Sequence, residues 1–323
     1  MQKLLVIPKI LNLRSNNLLL LIRNFDKKNV TLQPKNQINT MLRIAVQSKG
    51  RLFDETMSLF AETGIKIENG KRLLLLSAKN FPLEALFLRD DDIPRSVAEG
   101  IADVGIVGEN ECSEKEQNVI VVKRLGFSAC RLSLAVPKET DYTGFDWFNG
   151  KVIATSYPKI LEKALTENNI KANIRVITGS VEIAPNIGFA DAIFDIVSSG
   201  STLVTNHLKE VETLMKSEAL LIRNPELSDE KIQILNDFIF RIEAVKMAEN
   251  KKYVLMNVPS EKLKEIIEVL PGIKSPTIMP LAKEGWNSLH VVIDERSLWD
   301  IIGKLKMLGA EGILVVPIEK IIP

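Results

Sequence analysis

The sequence predicts an α/β protein built as two doubly wound lobes around a cleft, with a small ferredoxin-like domain after them. Three observations carry this. Strand-like and helix-like segments alternate from Leu42 to Leu203, and such alternation implies parallel sheets wound by helices. A long helical segment, Asp229–Asn250, then marks a boundary. Beyond it the order is strand, helix, strand, strand, helix, strand, which is the βαββαβ ferredoxin-like unit.

In chain order, Leu42–Gln47 reads as a buried strand. Leu52–Glu62 follows with apolar residues at helical spacing (Leu52, Met57, Leu59, Phe60). Leu73–Ala78 and Glu84–Arg89 read as strands, and Pro94 to Glu99 as a short helix with proline in its first turn. Asp103–Val107, Val119–Leu125 and Arg131–Val136 complete the first set of strands. The second set has strands Val152–Thr155, Ile174–Thr178 and Ala192–Val197. Its helices are Pro158–Glu167, a short Val181–Ile187, and one beginning near Thr202. In the last part, Tyr253–Val258, Thr277–Leu281, Leu289–Ile293 and Gly312–Val316 are strands, and Glu261–Val269 and Leu298–Leu308 are helices. The expected division is residues 41–135 with 213–250 as the first lobe, 136–212 as the second, and 251–323 as a sensing domain. Ligands of such sheets sit at the carboxyl ends of the strands.

Composition narrows the chemistry. The chain has 323 residues, 46% hydrophobic and 26% charged, with a net charge of +1. That is an ordinary soluble enzyme composition without a global basic surface, so neither nucleic acid nor a membrane is an expected partner. Two cysteines, Cys112 and Cys130, form no CxxC, which argues against a zinc site and fits a reducing cytoplasm. Only His207 and His290 are histidines, so any chemistry must use carboxylates, hydroxyls, Arg, Lys and backbone amides. Residues 1–40 differ from the rest: seven Lys/Arg face one acidic residue, Asp26, and the apolar bursts Leu4–Ile7 and Leu18–Ile22 are too short to span a bilayer. They are expected to be a disordered or mis-started extension, with Met41 as the candidate initiator.

The most informative stretch is DAIFDIVSSGSTL, residues 191–203. Asp191 and Asp195 are four apart on a strand, so the period of two puts both on one face. The strand runs into Ser198, Ser199, Gly200, Ser201 and Thr202, and a helix follows. Glycine permits a tight turn and close approach of a ligand. Consecutive N–H groups at a helix N-terminus cradle an anion, and the hydroxyls add donors. This suits a phosphate monoester, while the carboxylates suit ribose hydroxyls or a magnesium ion. A bare strand–turn–helix with a hydroxyl cap is the plainer alternative. A second loop, Lys49-Gly50-Arg51, also opens a helix, and its two cations suit a pyrophosphate or triphosphate. The run Arg89-Asp90-Asp91-Asp92 precedes another helix, where acidic residues complement the dipole; magnesium is the alternative there.

From Met41 onward the chain resembles the long-form ATP phosphoribosyltransferases. The segments that carry this are LRIAVQSKGRL, RDDDIP, ADVGIVGEN, IATSYP, GSVEIAPNIGFADAIFDIVSSGSTL and LPGIKSPTIMPLA. The family signature falls on Glu182, Gly188, Ala190, Ile193, Asp195, Ser199, Gly200, Thr202 and Leu203. The resemblance implies periplasmic-binding-protein type II lobes and an ACT-like sensing domain. It implies that Ser198, Ser199, Gly200, Ser201 and Thr202 hold the 5′-phosphate of phosphoribosyl pyrophosphate, with Glu182 also at the substrate and Asp191 and Asp195 at the ribose hydroxyls. Lys49, Gly50 and Arg51 would lie near the pyrophosphate or triphosphate. It further implies a cytoplasmic enzyme of the committed step of histidine synthesis, with ATP as acceptor and Mg²⁺ carried largely on the substrates. Histidine would inhibit through Thr277, in an assembly between dimer and hexamer.

Overall fold

The structure is a computed structural model that describes residues 40–67, 74–271 and 275–322. Most of the expected extension, Leu73 of the second expected strand, and part of the LPGIKSPTIMPLA segment therefore lie outside the described residues. Residues 41–323 form one compact unit.

The first sheet contains β1 (Leu42–Gln47), β2 (Leu75–Ser77), β3 (Leu83–Leu88), β4 (Val104–Gly108), β5 (Ile120–Arg124) and β11 (Ala219–Arg223), in the order β2-β3-β1-β4-β11-β5. Its helices are α1 (Arg51–Glu62), α2 (Ile93–Ala98) and α3 (Glu109–Lys115), together with the long α6 (Asp229–Ala248). Leu42, Ile44, Leu59, Phe60, Leu83, Ile106 and Phe238 form its main core. The second sheet has the order β10-β6-β9-β7-β8. It is built from β6 (Cys130–Pro137), β7 (Val152–Thr155), β8 (Asn173–Val176), β9 (Ala192–Val197) and β10 (Leu208–Ser217), with helices α4 (Pro158–Glu167) and α5 (Ser201–Thr205). Leu132, Leu134, Phe148, Leu161 and Phe194 pack on one face of it, and Ile193, Val197, Leu203 and Val181 on the other. Apolar cover on both faces is what a doubly wound sheet requires.

The sheets are mixed, which corrects the expectation of purely parallel ones. In the first, β3, β1 and β4 are parallel while β2 and β11 run against their neighbours. In the second, β9, β7 and β8 are parallel and β6 is reversed. The cause is the route of the chain. It leaves β5 at the cleft end of the first sheet and so enters the second from its cleft end, running backwards as β6. The return from β10 to β11 does the same in the other direction. Residues 130–135, expected in the first lobe, thus pair in the second sheet, as do 213–217. The expected helix Val181–Ile187 is only a single 3₁₀ turn, Val181–Ile183.

Residues 251–317 form the ferredoxin-like domain. Its strands β12 (Lys251–Pro259), β13 (Thr277–Pro280), β14 (Trp286–Asp294) and β15 (Glu311–Pro317) pair antiparallel in the order β13-β14-β12-β15. Helices α7 (Leu263–Val269) and α8 (Glu295–Met307) bury one face of that sheet against Val254, Met256, Leu289 and Val291. The other face, with Tyr253, Leu314 and Val316, is exposed.

Candidate active site

Two loops meet across the cleft. In the first lobe, Gly50 caps α1 with φ 93°, a left-handed geometry that any side chain would strain. In the second, Gly200 caps α5 with φ 80°. The loops touch: Arg51 Nη1 donates to Ser198 Oγ at 2.6 Å, and Arg51 Nη2 donates to the Ala129 carbonyl at 2.9 Å. One turn along α1, Glu55 accepts from Ser128 Oγ. Arg51 and Glu55 therefore grip the first crossover segment, and Arg51 spans the cleft as well.

Ser198, Ser199, Ser201 and Thr202 are exposed, so the loop is open rather than packed shut. Ser199 and Ser201 hydroxyls lie 3.0 Å apart. The loop is anchored from behind. Arg131 Nη1 donates to the Ser198 carbonyl at 3.1 Å, while the same guanidinium pairs with Glu210. That pairing holds the Glu210 carboxyl down at about 2. Sequence patterning does not find Arg131 or Glu210, because nothing local signals that β6 starts beside the loop.

Asp195 lies at the cleft end of β9. Its carboxyl accepts from the Ile196 N–H at 2.8 Å. Burial pushes it up to about 6, against the help of that N–H, and the nearby Glu182 charge pushes the same way. A half-buried carboxylate with one backbone partner retains unfilled acceptor capacity. Glu182 stands on the 3₁₀ turn above the same sheet face.

Asp191 does not join Asp195. The expectation that the two converge fails because facing one way is not the same as lying at one end. At about 3.3 Å per residue, four residues separate them by about 13 Å along the strand. Asp191 instead accepts from the Val152 N–H at 2.8 Å, while its own N–H donates to the Val152 carbonyl. It pins the start of β9 to the start of β7, at the end away from the loop. There it lines a separate cavity of about 480 Å³ with Arg175 and Phe189.

Lys49 lines a cavity of about 410 Å³ with Gln47, Ser48, Arg89 and Asp90, and its ammonium makes no ion pair among the described residues. Asp90, Asp91 and Asp92 form a single 3₁₀ turn before α2, and Asp91 pairs with Arg89 at 3.4 Å. Among the described residues, no three His, Cys, Asp or Glu side chains are grouped to hold a metal ion. Cys112 and Cys130 are free thiols, and burial raises both, Cys112 to about 12. Thr277 lies in the third sheet, on edge strand β13 opposite His290. The His290 ring is held by the Tyr253 hydroxyl at 2.8 Å and Ser288 Oγ at 2.9 Å. No helix among the described residues is long and apolar enough to cross a membrane.

Two α/β lobes, an open glycine–hydroxyl loop facing the Lys49–Arg51 loop, and an appended ferredoxin-like domain define the class of fold. The comparisons with known proteins narrow this. The ATP phosphoribosyltransferase family profile matches residues 89–244, and the HisG C-terminal domain profile matches residues 248–320. The chain is 69% identical over 282 residues to an ATP phosphoribosyltransferase of Phocaeicola vulgatus, covering 87% of this chain and 100% of that protein. It is 68% identical, with the same coverage, to one from Bacteroides thetaiotaomicron. Among solved structures, an ATP phosphoribosyl transferase (HisG:HisZ) complex from Thermotoga maritima matches with TM-score 0.54 and 28% identity, over 63% of this chain and 99% of that one. The chain belongs to the ATP phosphoribosyltransferase family.

Proposed function

We propose that the protein transfers the 5-phosphoribosyl group of phosphoribosyl pyrophosphate to N1 of the adenine of ATP, releasing pyrophosphate. The product is 1-(5-phospho-β-D-ribosyl)-ATP, and the step commits material to histidine synthesis. The contact of Arg51 with Ser198 is the observation that carries this reading, because it joins a cationic loop of one lobe to the hydroxyl loop of the other. The Ser198–Thr202 loop takes the 5′-phosphate on its N–H groups and hydroxyls. Asp195 accepts from the ribose hydroxyls and, as a carboxylate, favours the positive charge that develops at C1′. Lys49 and Arg51 neutralise the leaving pyrophosphate. The adenine N1 lone pair forms the new bond to C1′ as the C1′–O bond breaks, and pyrophosphate departs with that electron pair. No strong base is needed to start, in keeping with a chain of only two histidines. Most of the acceleration comes from holding two highly charged substrates in line. Mg²⁺ carried on the substrates would supply charge neutralisation there, alongside Lys49 and Arg51. Glu182, close enough to raise the Asp195 carboxyl, completes the substrate wall.

Residues 251–323 are read as the histidine sensor, with Thr277 contacting the inhibitor, in a cytoplasmic homo-oligomer. Mixing the full chain with ATP, phosphoribosyl pyrophosphate and Mg²⁺ tests the reaction. Pyrophosphate release that requires all three supports it. Release with free adenine or orotate but not ATP points to another phosphoribosyltransferase. Tight binding without release points to a solute receptor. Thr277→Ala in the full chain raises the histidine needed for half-inhibition about tenfold, the loss of one hydrogen bond; unchanged inhibition rejects the contact.

A further inference from the structure

The chemistry proposed above uses none of the buried polar side chains where the lobes join. Helix α3 leaves the first sheet at the end of β4, and its Asn110, Glu111 and Glu114 are buried, at 5%, 5% and 6% exposure. Each reaches out of the first lobe. Ser217 Oγ, at the end of β10, donates to Asn110 Oδ1 at 2.8 Å, and the Asn110 Nδ2 donates to the Tyr157 hydroxyl at 3.2 Å. The Tyr157 hydroxyl donates to Glu111 Oε1 at 2.9 Å. Glu114 accepts from two backbone groups of the second lobe, the Lys159 N–H and the Ile160 N–H, both at 3.1 Å.

The last pair stands out because of what α4 lacks. Its N-cap is Tyr157, followed by Pro158, with no side-chain cap of its own and no acidic residue in the first turn. A helix normally satisfies its N2 and N3 N–H groups with a Ser, Thr, Asp or Asn at the N-cap. Here those two groups, Lys159 and Ile160, take one oxygen each of a carboxylate from the other lobe. The same carboxylate answers the helix dipole. Outside it, the Lys159 ammonium pairs with Glu116 at 2.7 Å. The start of α4 is therefore complete only when the first lobe is in place. Helix α4 follows β7, and β7 pairs with β9, which carries Asp195 and leads into the phosphate loop.

We propose that Glu114 is a positioning residue: by capping α4 across the lobe boundary, it sets the angle at which the phosphate loop faces the Lys49–Arg51 loop. This rests on the transferase reading, in which each lobe holds part of the reacting pair. A change of angle leaves each loop intact but disturbs their in-line approach. Glu114→Ala removes both bonds, and Glu114→Gln keeps one acceptor and turns an NH₂ toward the second N–H.

Two measurements on the full chain test it. The first is turnover per binding site, with sites counted by phosphoribosyl pyrophosphate titration, so that partial unfolding does not imitate the effect. The Ala variant loses about 10- to 100-fold in kcat, the scale expected for a small misplacement of reacting groups. KM for each substrate stays within about threefold, because ground-state binding to each loop survives. The Gln variant falls between. The second is the distance distribution between spin labels at Lys66 on the first lobe and Lys171 on the second. The labels are attached through an unnatural amino acid so that Cys112 and Cys130 are untouched. It is narrow in the parent and broadened or shifted in Glu114→Ala. This readout needs no turnover, so a wild-type chain inactive in the three-component assay would reject the transferase reading without deciding the lobe angle. A parent-like distribution in Glu114→Ala, or a broadened one with parent-like kcat per site, overturns the proposal.

Discussion

The two ends of β9 put the same residue type to opposite uses. At the far end, Asp191 accepts from the Val152 N–H and serves as a peg between two strands. At the cleft end, Asp195 has one backbone partner, is half-buried, and is pushed up to about 6. Nothing in the side chains distinguishes them; position along the strand does. A carboxylate whose oxygens are filled by the fold has little left to offer a substrate. One held in a poor environment with open acceptor sites is poised to gain from a ligand.

Exchanging each in turn sharpens that contrast. Asp195→Asn is expected to lower turnover about 100-fold or more, the size seen when a preorganised electrostatic group is removed; near-parent turnover rejects its role. The same variant is expected to be more stable than the parent. A carboxyl whose pKa is raised by folding favours the folded state while it is protonated. That advantage is present below about pH 4 and is lost as pH rises through 6. Above pH 6 the buried charge therefore costs about 2–3 kcal/mol, which Asn removes while still accepting from the Ile196 N–H. Thermal melts at pH 8 and pH 4.5 should show a gain at the first that shrinks at the second.

A smaller effect concerns pH. If ionised Asp195 is the active form, kcat/KM falls on the acid side near pH 6. Glu182→Gln removes a charge that raises Asp195, so the limb moves to lower pH, readable in whatever activity survives. A limb that stays put separates Asp195 from the profile. The smallest change is expected at the other end of the strand. Asp191→Ala leaves the Val152 N–H without its partner and lowers stability by about 1 kcal/mol. Turnover per folded molecule stays within about twofold, since the interaction lost is equal in ground and transition states. A large kinetic effect of Asp191→Ala would restore the convergent pair.

Much of this was legible in the sequence, for reasons that can be named. Period-two and helical spacing located β1, β9, α1 and the βαββαβ order, and the glycine–hydroxyl run located the open turn between β9 and α5. What was not legible depended on pairing across distance. The reversed strands β6 and β11 follow from where the chain crosses between lobes, and no local pattern marks that. β10, LKEVETLMKS, alternates too weakly to announce a strand. The spacing of Asp191 and Asp195 predicts a shared face, but a period is blind to which end of the strand meets the cleft. Glu114 left only an indirect trace: Tyr157 before Pro158 is a helix start without a cap, and a missing cap implies one supplied from elsewhere.

Calorimetric titration of phosphoribosyl pyrophosphate with Mg²⁺ into the parent and into Thr202→Asp examines the phosphate loop most directly. An acidic residue in the first turn of α5 suits the helix dipole, so the fold is undisturbed, yet it sets a negative charge where the 5′-phosphate is proposed to sit. The account predicts saturable binding to the parent and a loss of at least about 100-fold in the variant at unchanged melting temperature. Equal affinity in the two proteins would contradict it.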